Sequence, residues 1–155
     1  MPKEVLTCRA GDNVYLHRDF HGALSCGLDY LHRIYGAEAV RDYLRGFTLA
    51  FYAPLREEIK SAGLGAIRRH YEKVYQIENG EIEFSKNEEE LLLRVRESPA
   101  VKHLRAQGYP VATLFHETVK TVNEALCEGT CWATELVEYD EQTGRSVQRF
   151  YRRES

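Results

Sequence analysis

The hydrophobic periodicity of the chain changes near residue 80, and this change limits the possible folds more than any other feature. Before it, glycine and proline separate four helical patterns, which we predict over 12–35, 37–52, 54–62 and 64–76. After it, alternating patterns predict two hairpins, EIEF with LLLRVR and CWATELVEY with RSVQRFYRR. Helices are predicted between the hairpins over 99–107 and 109–126. The pattern indicates an α+β fold, with a helical first half packed on an antiparallel sheet built from the two hairpins.

Length and composition favour one globular domain spanning residues 1–155. The chain is 43% hydrophobic and 29% charged, with a net charge of -3 and scattered basic residues, so nucleic acid is not an expected partner. No apolar run reaches the roughly 18 residues of a membrane span, and the N-terminus lacks the apolar core of a signal peptide. We therefore expect no membrane partner and a cytoplasmic location, where the four cysteines are free thiols, ligands or nucleophiles.

The stretch HRDFHGALSCGLDYLH concentrates titratable side chains on the first predicted helix. His17 and His21 stand at i and i+4, and Asp29 follows them along the border between the apolar and polar faces. His32 lies about 16 Å beyond His21 at a helical rise of about 1.5 Å per residue, so it cannot join the same site. Three interpretations are open for histidines at this border. They can pack their rings against the core, one of His17 and His21 can belong to a catalytic or binding site, or the two can bind a metal ion together. Arg18 stands where the metalloprotease pattern has Glu, and no metal site is predicted.

A second polar strip lies on the predicted helix over 109–126 and just beyond it, and contains His116, Asn123 and Cys127. Histidine can activate a thiol while an amide orients the ring, but His116 and Cys127 are about 16 Å apart on one helix. Cys127 also faces the negative end of the helix dipole, which raises a thiol pKa. Cys131, at the start of the next strand, is the better candidate nucleophile. The candidate ligand-binding residues are Trp132 beside it and the border residues His17, Asp29, Asn123 and Cys127.

The order of elements carries a resemblance to a known family. The phrases DFHGAL, YLHRIYGAEAVRDYL, FYAPLREEIKSAGLGAI and VRESPAVKHLRAQGY, followed by a helix and a hairpin, resemble the L-2-amino-thiazoline-4-carboxylic acid hydrolase-like proteins. Such families often have Cys-Pro at the strand-to-helix step, where this chain has Ser98 and Pro99. The second half also resembles 4-vinyl-reductase-type ligand-binding domains, which bind a small hydrophobic or tetrapyrrole-like molecule between helices and sheet.

These resemblances lead to two functional hypotheses. In the first, the protein hydrolyses a C–N bond of a cyclic amidine or amide. His21 or His116 is then the general base, Glu117 or Asp29 orients it, and Cys131 is a candidate nucleophile.

In the second hypothesis, the protein is a non-catalytic binding or sensor domain for haem or another hydrophobic small molecule, because His and Cys are usual haem ligands. The sequence identifies no cofactor. A third expectation is a homodimer in which the terminal hairpin pairs across a two-fold axis through an exposed last strand.

Overall fold

The computed structural model describes residues 19–154, and its first half is helical as predicted. Four helices follow one another: α1 (Asp19–Tyr35), α2 (Ala37–Phe51), α3 (Ala53–Ala62) and α4 (Leu64–Ile77). Gly36 ends α1 with a φ of 89°, and its N–H donates to the carbonyl of His32 at 3.0 Å. Such a left-handed residue favours glycine, so the chain turns here without steric cost. The predicted start of α1 at residue 12 lies outside the described residues.

The second half forms a four-stranded antiparallel sheet. Its strands are β1 (Ile82–Lys86), β2 (Glu90–Val95), β3 (Trp132–Tyr139) and β4 (Ser146–Arg152), in the spatial order β1-β2-β4-β3. The two predicted hairpins therefore join through β2 and β4, and the α+β fold class is confirmed. The expectation that the last strand is an exposed edge is wrong, however, because β4 is an interior strand with both of its edges paired. The open edges belong to β1 and β3, and since β3 is part of the terminal hairpin, a homodimer that pairs through this hairpin stays a prediction.

One face of the sheet is covered by the helices. Leu91, Leu93 and Val95 alternate along β2 and are at most 2% exposed, as their spacing predicts. They stand opposite Phe150, Gln148 and Ser146 of β4, which are buried on the same face. Apolar side chains from α3, α4 and a later helix over 117–127 complete this layer. A second apolar cluster lies among α1, α2 and the helices that follow β2. Among residues 19–154, no helix has the length and apolar character needed to cross a membrane.

Two helices lie between the hairpins, α5 (Pro99–Ala106) and α6 (Glu117–Cys127). Ser98 caps α5 as predicted, since its Oγ accepts a hydrogen bond from the N–H of Val101 at 3.3 Å.

The prediction of a single helix over 109–126 is wrong at its start, because α6 begins only at Glu117. Ser25 of α1 holds the preceding segment: its Oγ accepts from the N–H of Ala112 at 2.8 Å and donates to the carbonyl of Pro110 at 2.9 Å. These contacts replace the helical hydrogen bonds that this segment would otherwise make.

Candidate active site

A histidine–glutamate pair joins α1 to the end of α4. His21 is 8% exposed, and its Nε2 lies 3.0 and 3.1 Å from the two carboxylate oxygens of Glu78, the C-cap residue of α4. A carboxylate accepts hydrogen bonds, so the ring donates its Nε2–H, and the lone pair of the neutral imidazole is on Nδ1. This arrangement fixes both the tautomer and the orientation of the ring, as an oriented general base requires.

The pair opens onto a cleft of about 540 Å³ between α1, the turn after α4, the end of β2 and α5. Glycine at position 80 allows this turn to approach α5. A Cβ atom on Gly80 would lie 2.5 Å from Cγ of Pro99 and 2.9 Å from Cδ1 of Tyr75, distances that no packed side chain tolerates. The residues that line the cleft are largely polar: His21, Glu78, Asn79, Gly80, Glu81, Arg96, Glu97, Pro99, Lys102, His103, Ala106 and Gln107.

A second histidine, His103 of α5, stands in the wall of the cleft. Its ring centroid lies 6.2 Å from that of His21, with the two ring planes tilted by 57°. Its Nε2 is buried and has no hydrogen-bond partner among residues 19–154. A buried polar atom without a partner costs about 1–3 kcal/mol of stability, so such atoms are rare in folded proteins.

The rim of the cleft carries charges of both signs. The guanidinium of Arg96 lies 3.5 Å from a carboxylate oxygen of Glu81, and the ammonium of Lys102 lies 3.3 Å from that of Glu97. These pairs are largely exposed, so water screens them and they contribute little to stability. A polar ligand that offers its own hydrogen-bonding groups fits this rim better than a hydrophobic one.

Of the predicted site residues, only His21 lines this cleft. His116 lies at the start of α6, and its Nε2 is 3.6 Å from Oε1 of Glu117, beyond hydrogen-bond distance. The Glu117 carboxylate is committed elsewhere, because Oε1 accepts from Arg41 at 3.0 Å and Oε2 accepts from Thr121 at 2.6 Å. Burial alone would raise the pKa of Glu117, but these hydrogen bonds from Thr121 and Arg41 hold that pKa below its ordinary value. Glu117 therefore makes no direct hydrogen bond to His116, and its role in orienting this histidine stays a prediction.

The two cysteines of the second strip differ in environment. Cys127 is 1% exposed, and burial raises the pKa of its thiol to about 12, so the reactive thiolate is disfavoured. Cys131 is exposed, with its Sγ 3.7 Å from Nη1 of Arg152, and it does not line the cleft. The predicted pairing of Cys131 with a histidine base is not present in the described part of the chain.

The remaining candidates hold the fold together. Asn123 is 2% exposed, and it accepts a hydrogen bond from the hydroxyl of Tyr71 and donates one to Gln148 at 2.8 Å. Trp132 packs under the turn between α3 and α4, and Asp29 accepts a hydrogen bond from the N–H of Thr113 at 3.3 Å. His17 lies outside the described residues. None of the three described side chains lines the cleft, and their ligand-binding role stays a prediction.

Sequence reasoning missed Glu78 and His103. Glu78 is 57 residues from His21, and no local spacing connects two positions so far apart. His103 left a signal, because residues 99, 102, 103 and 106 share one face of α5 at helical spacing. That face carries Lys102 and His103 next to two small side chains, and it is the face that lines the cleft.

Within residues 19–154, no group of three or more His, Cys, Asp or Glu side chains is placed to hold a metal ion. Comparisons of the chain with protein-family models, with curated proteins and with solved structures find no match.

Proposed function

We propose that the protein is a small-molecule hydrolase that acts on a C–N bond of a cyclic amidine or amide, with the His21–Glu78 pair as its general base. The observation that supports this is the contact of both Glu78 oxygens with Nε2 of His21 at 3.0 and 3.1 Å, at the edge of a cleft large enough for a small heterocycle. The charged and hydrogen-bonding side chains around the cleft support this function over a binding domain for haem or another hydrophobic molecule.

The proposed reaction uses water and no other co-reactant. His21 takes a proton from a water molecule while the water oxygen bonds to the amidine or amide carbon. The C–N bond of the ring then breaks, and the proton held by His21 is transferred to the leaving nitrogen. Collapse of the tetrahedral intermediate leaves an amine and a carboxylic acid from a cyclic amide, or an amine and an amide from a cyclic amidine, so atoms and charge balance. Glu78 stabilises the imidazolium that exists between the two proton transfers.

We place this activity in the cytoplasm. The described cysteines, Cys26, Cys127 and Cys131, are all free thiols, and two of them are exposed. Exposed thiols persist in a reducing compartment, which supports the proposal. The proposed partner is the small-molecule substrate itself.

The test is turnover of a panel of cyclic amidines and amides by the purified protein. We expect His21→Ala to lower kcat at least about 100-fold, the usual contribution of a general base, and Glu78→Gln to lower it less. His32→Ala is the matched control, because it removes a histidine from the same helix outside the cleft and leaves kcat unchanged. Absence of turnover across the panel, or turnover that survives His21→Ala, would refute the proposal.

A further inference from the structure

Nε2 of His103 is an anomaly in the described part of the chain. Across residues 19–154, it is the one buried side-chain nitrogen or oxygen without a hydrogen-bond partner. Other buried polar groups form connected sets, for example Asn123 with Gln148 and Glu117 with Thr121. Because the other buried polar groups are hydrogen-bonded, the single unsatisfied ring nitrogen requires a local explanation.

The position of the ring identifies that reason. His103 lies on the face of α5 that lines the cleft, and its ring is 6.2 Å from the ring of His21 between centroids. The tilt of 57° between the two planes shows that the rings do not stack on each other. Because His103 lines the cleft, a ligand in the cleft can contact its ring.

We propose that His103 is the residue that binds the polar group of the substrate, opposite the His21 base. The proposal includes a rotation of the imidazole about its χ2 bond, by which Nε2 leaves its buried position and accepts or donates a hydrogen bond with a substrate heteroatom in the cleft. This inference depends on the proposed function, since the substrate is the cyclic amidine or amide.

The two histidines differ in their partners, and this difference assigns their roles. Glu78 holds the ring of His21 in one tautomer, whereas no acidic side chain within the described residues pairs with His103. A neutral imidazole without a carboxylate partner can adopt either tautomer, so it can donate to an amide oxygen or accept from an amidine N–H. His103 thus suits recognition of both substrate classes, and His21 suits proton transfer.

The stability of the ligand-free protein gives the first readout. His103→Phe keeps a ring of similar shape and removes the unsatisfied nitrogen, so we expect its Tm to rise. The same variant should raise KM about tenfold, the effect of losing one neutral hydrogen bond to substrate. His103→Gln restores a donor and an acceptor, and we expect it to recover part of the KM loss. A packing residue would not combine higher stability with weaker binding. A rise in Tm with unchanged KM would overturn the proposal.

Binding without turnover separates this inference from the proposed function. The probes are 2-pyrrolidinone, a cyclic amide, and 2-aminoimidazoline, a cyclic amidine, titrated against protein with ¹⁵N-labelled histidine. We expect the ring signals of His103 to shift and the binding to weaken in His103→Phe, but not in the matched His32→Phe. Such binding without any hydrolysis would support His103 and refute the hydrolase. Turnover that requires His21 but is indifferent to His103→Phe, without a shift of the His103 signals, would refute His103 alone.

Discussion

Three histidines, at positions 21, 70 and 103, have the same side chain but different surroundings, which give them different roles. His21 donates to Glu78 and His103 faces the cleft. His70 instead packs edge-on against Tyr52 and Tyr71, with ring centroids 5.3 and 5.2 Å apart. Burial lowers the pKa of His70 from its ordinary 6.5 to about 4; nearby Glu58 raises that pKa and Lys73 lowers it.

This low pKa predicts a loss of stability in mild acid. The folded state keeps His70 neutral down to a pH of about 4, whereas the unfolded chain binds a proton below about 6.5. The stability is therefore fully present above pH 6.5 and is lost as the pH falls toward 4, with a slope of at most about 1.4 kcal/mol per pH unit. Urea unfolding at several pH values measures this slope. We expect His70→Phe, which keeps the ring contacts, to have a shallower slope, and equal slopes would contradict the assignment.

Helices and strands that end at glycine or proline could be predicted from the sequence, because their signals are local. The periodicity and the glycines at 36 and 63 define the ends of α1 and α3, and the alternation in β2 predicts its buried face. The start of α6 could not be predicted in this way, because Ser25 holds Ala112 from 87 residues away. Glu78 could not be predicted as the partner of His21 for the same reason, because the two residues are 57 positions apart in the chain. Local pattern thus predicts elements, while contacts between distant elements create the site.

The Ser25 bridge between α1 and the segment before α6 is itself testable. Ser25 is 1% exposed, and Ser25→Ala leaves the N–H of Ala112 without its acceptor. We expect the free energy of unfolding to fall by about 1–3 kcal/mol, the cost of an unsatisfied buried donor. Ser61→Ala is the control on α3, where the exposed hydroxyl only bonds back to its own helix, and it should change stability by less than about 0.5 kcal/mol. Equal losses in both variants would contradict a bridging role.

In the molecule as a whole, the central strands of the sheet are more deeply buried than the first helix, α1. The central strands β2 and β4 carry Leu91, Leu93 and Phe150, which are fully buried. By contrast, α1 leaves Tyr30, Ile34 and Tyr35 at least half exposed. One wall of the candidate cleft is thus formed by an element with a smaller share of the core.

Native-state hydrogen exchange should reveal this difference. We expect amides of β2 and β4 to exchange only through global unfolding, and those of α1 to exchange about tenfold faster or more through local opening. The edge strand β1, which pairs on one side only, is the internal reference between these extremes. Protection of α1 equal to that of β4 would show that the helix and the sheet open as one unit.

The interior position of β4 has a consequence for the chain as it leaves the ribosome. The hairpin of β1 and β2 is synthesised early. The inner edge of β2 has no hydrogen-bonded neighbour until β4 is synthesised, after α5, α6 and β3. During that interval the apolar face of Leu91 and Leu93 lacks its neighbour Phe150. A nascent chain of this topology exposes an unpaired, leucine-rich strand edge, the kind of surface that chaperones bind.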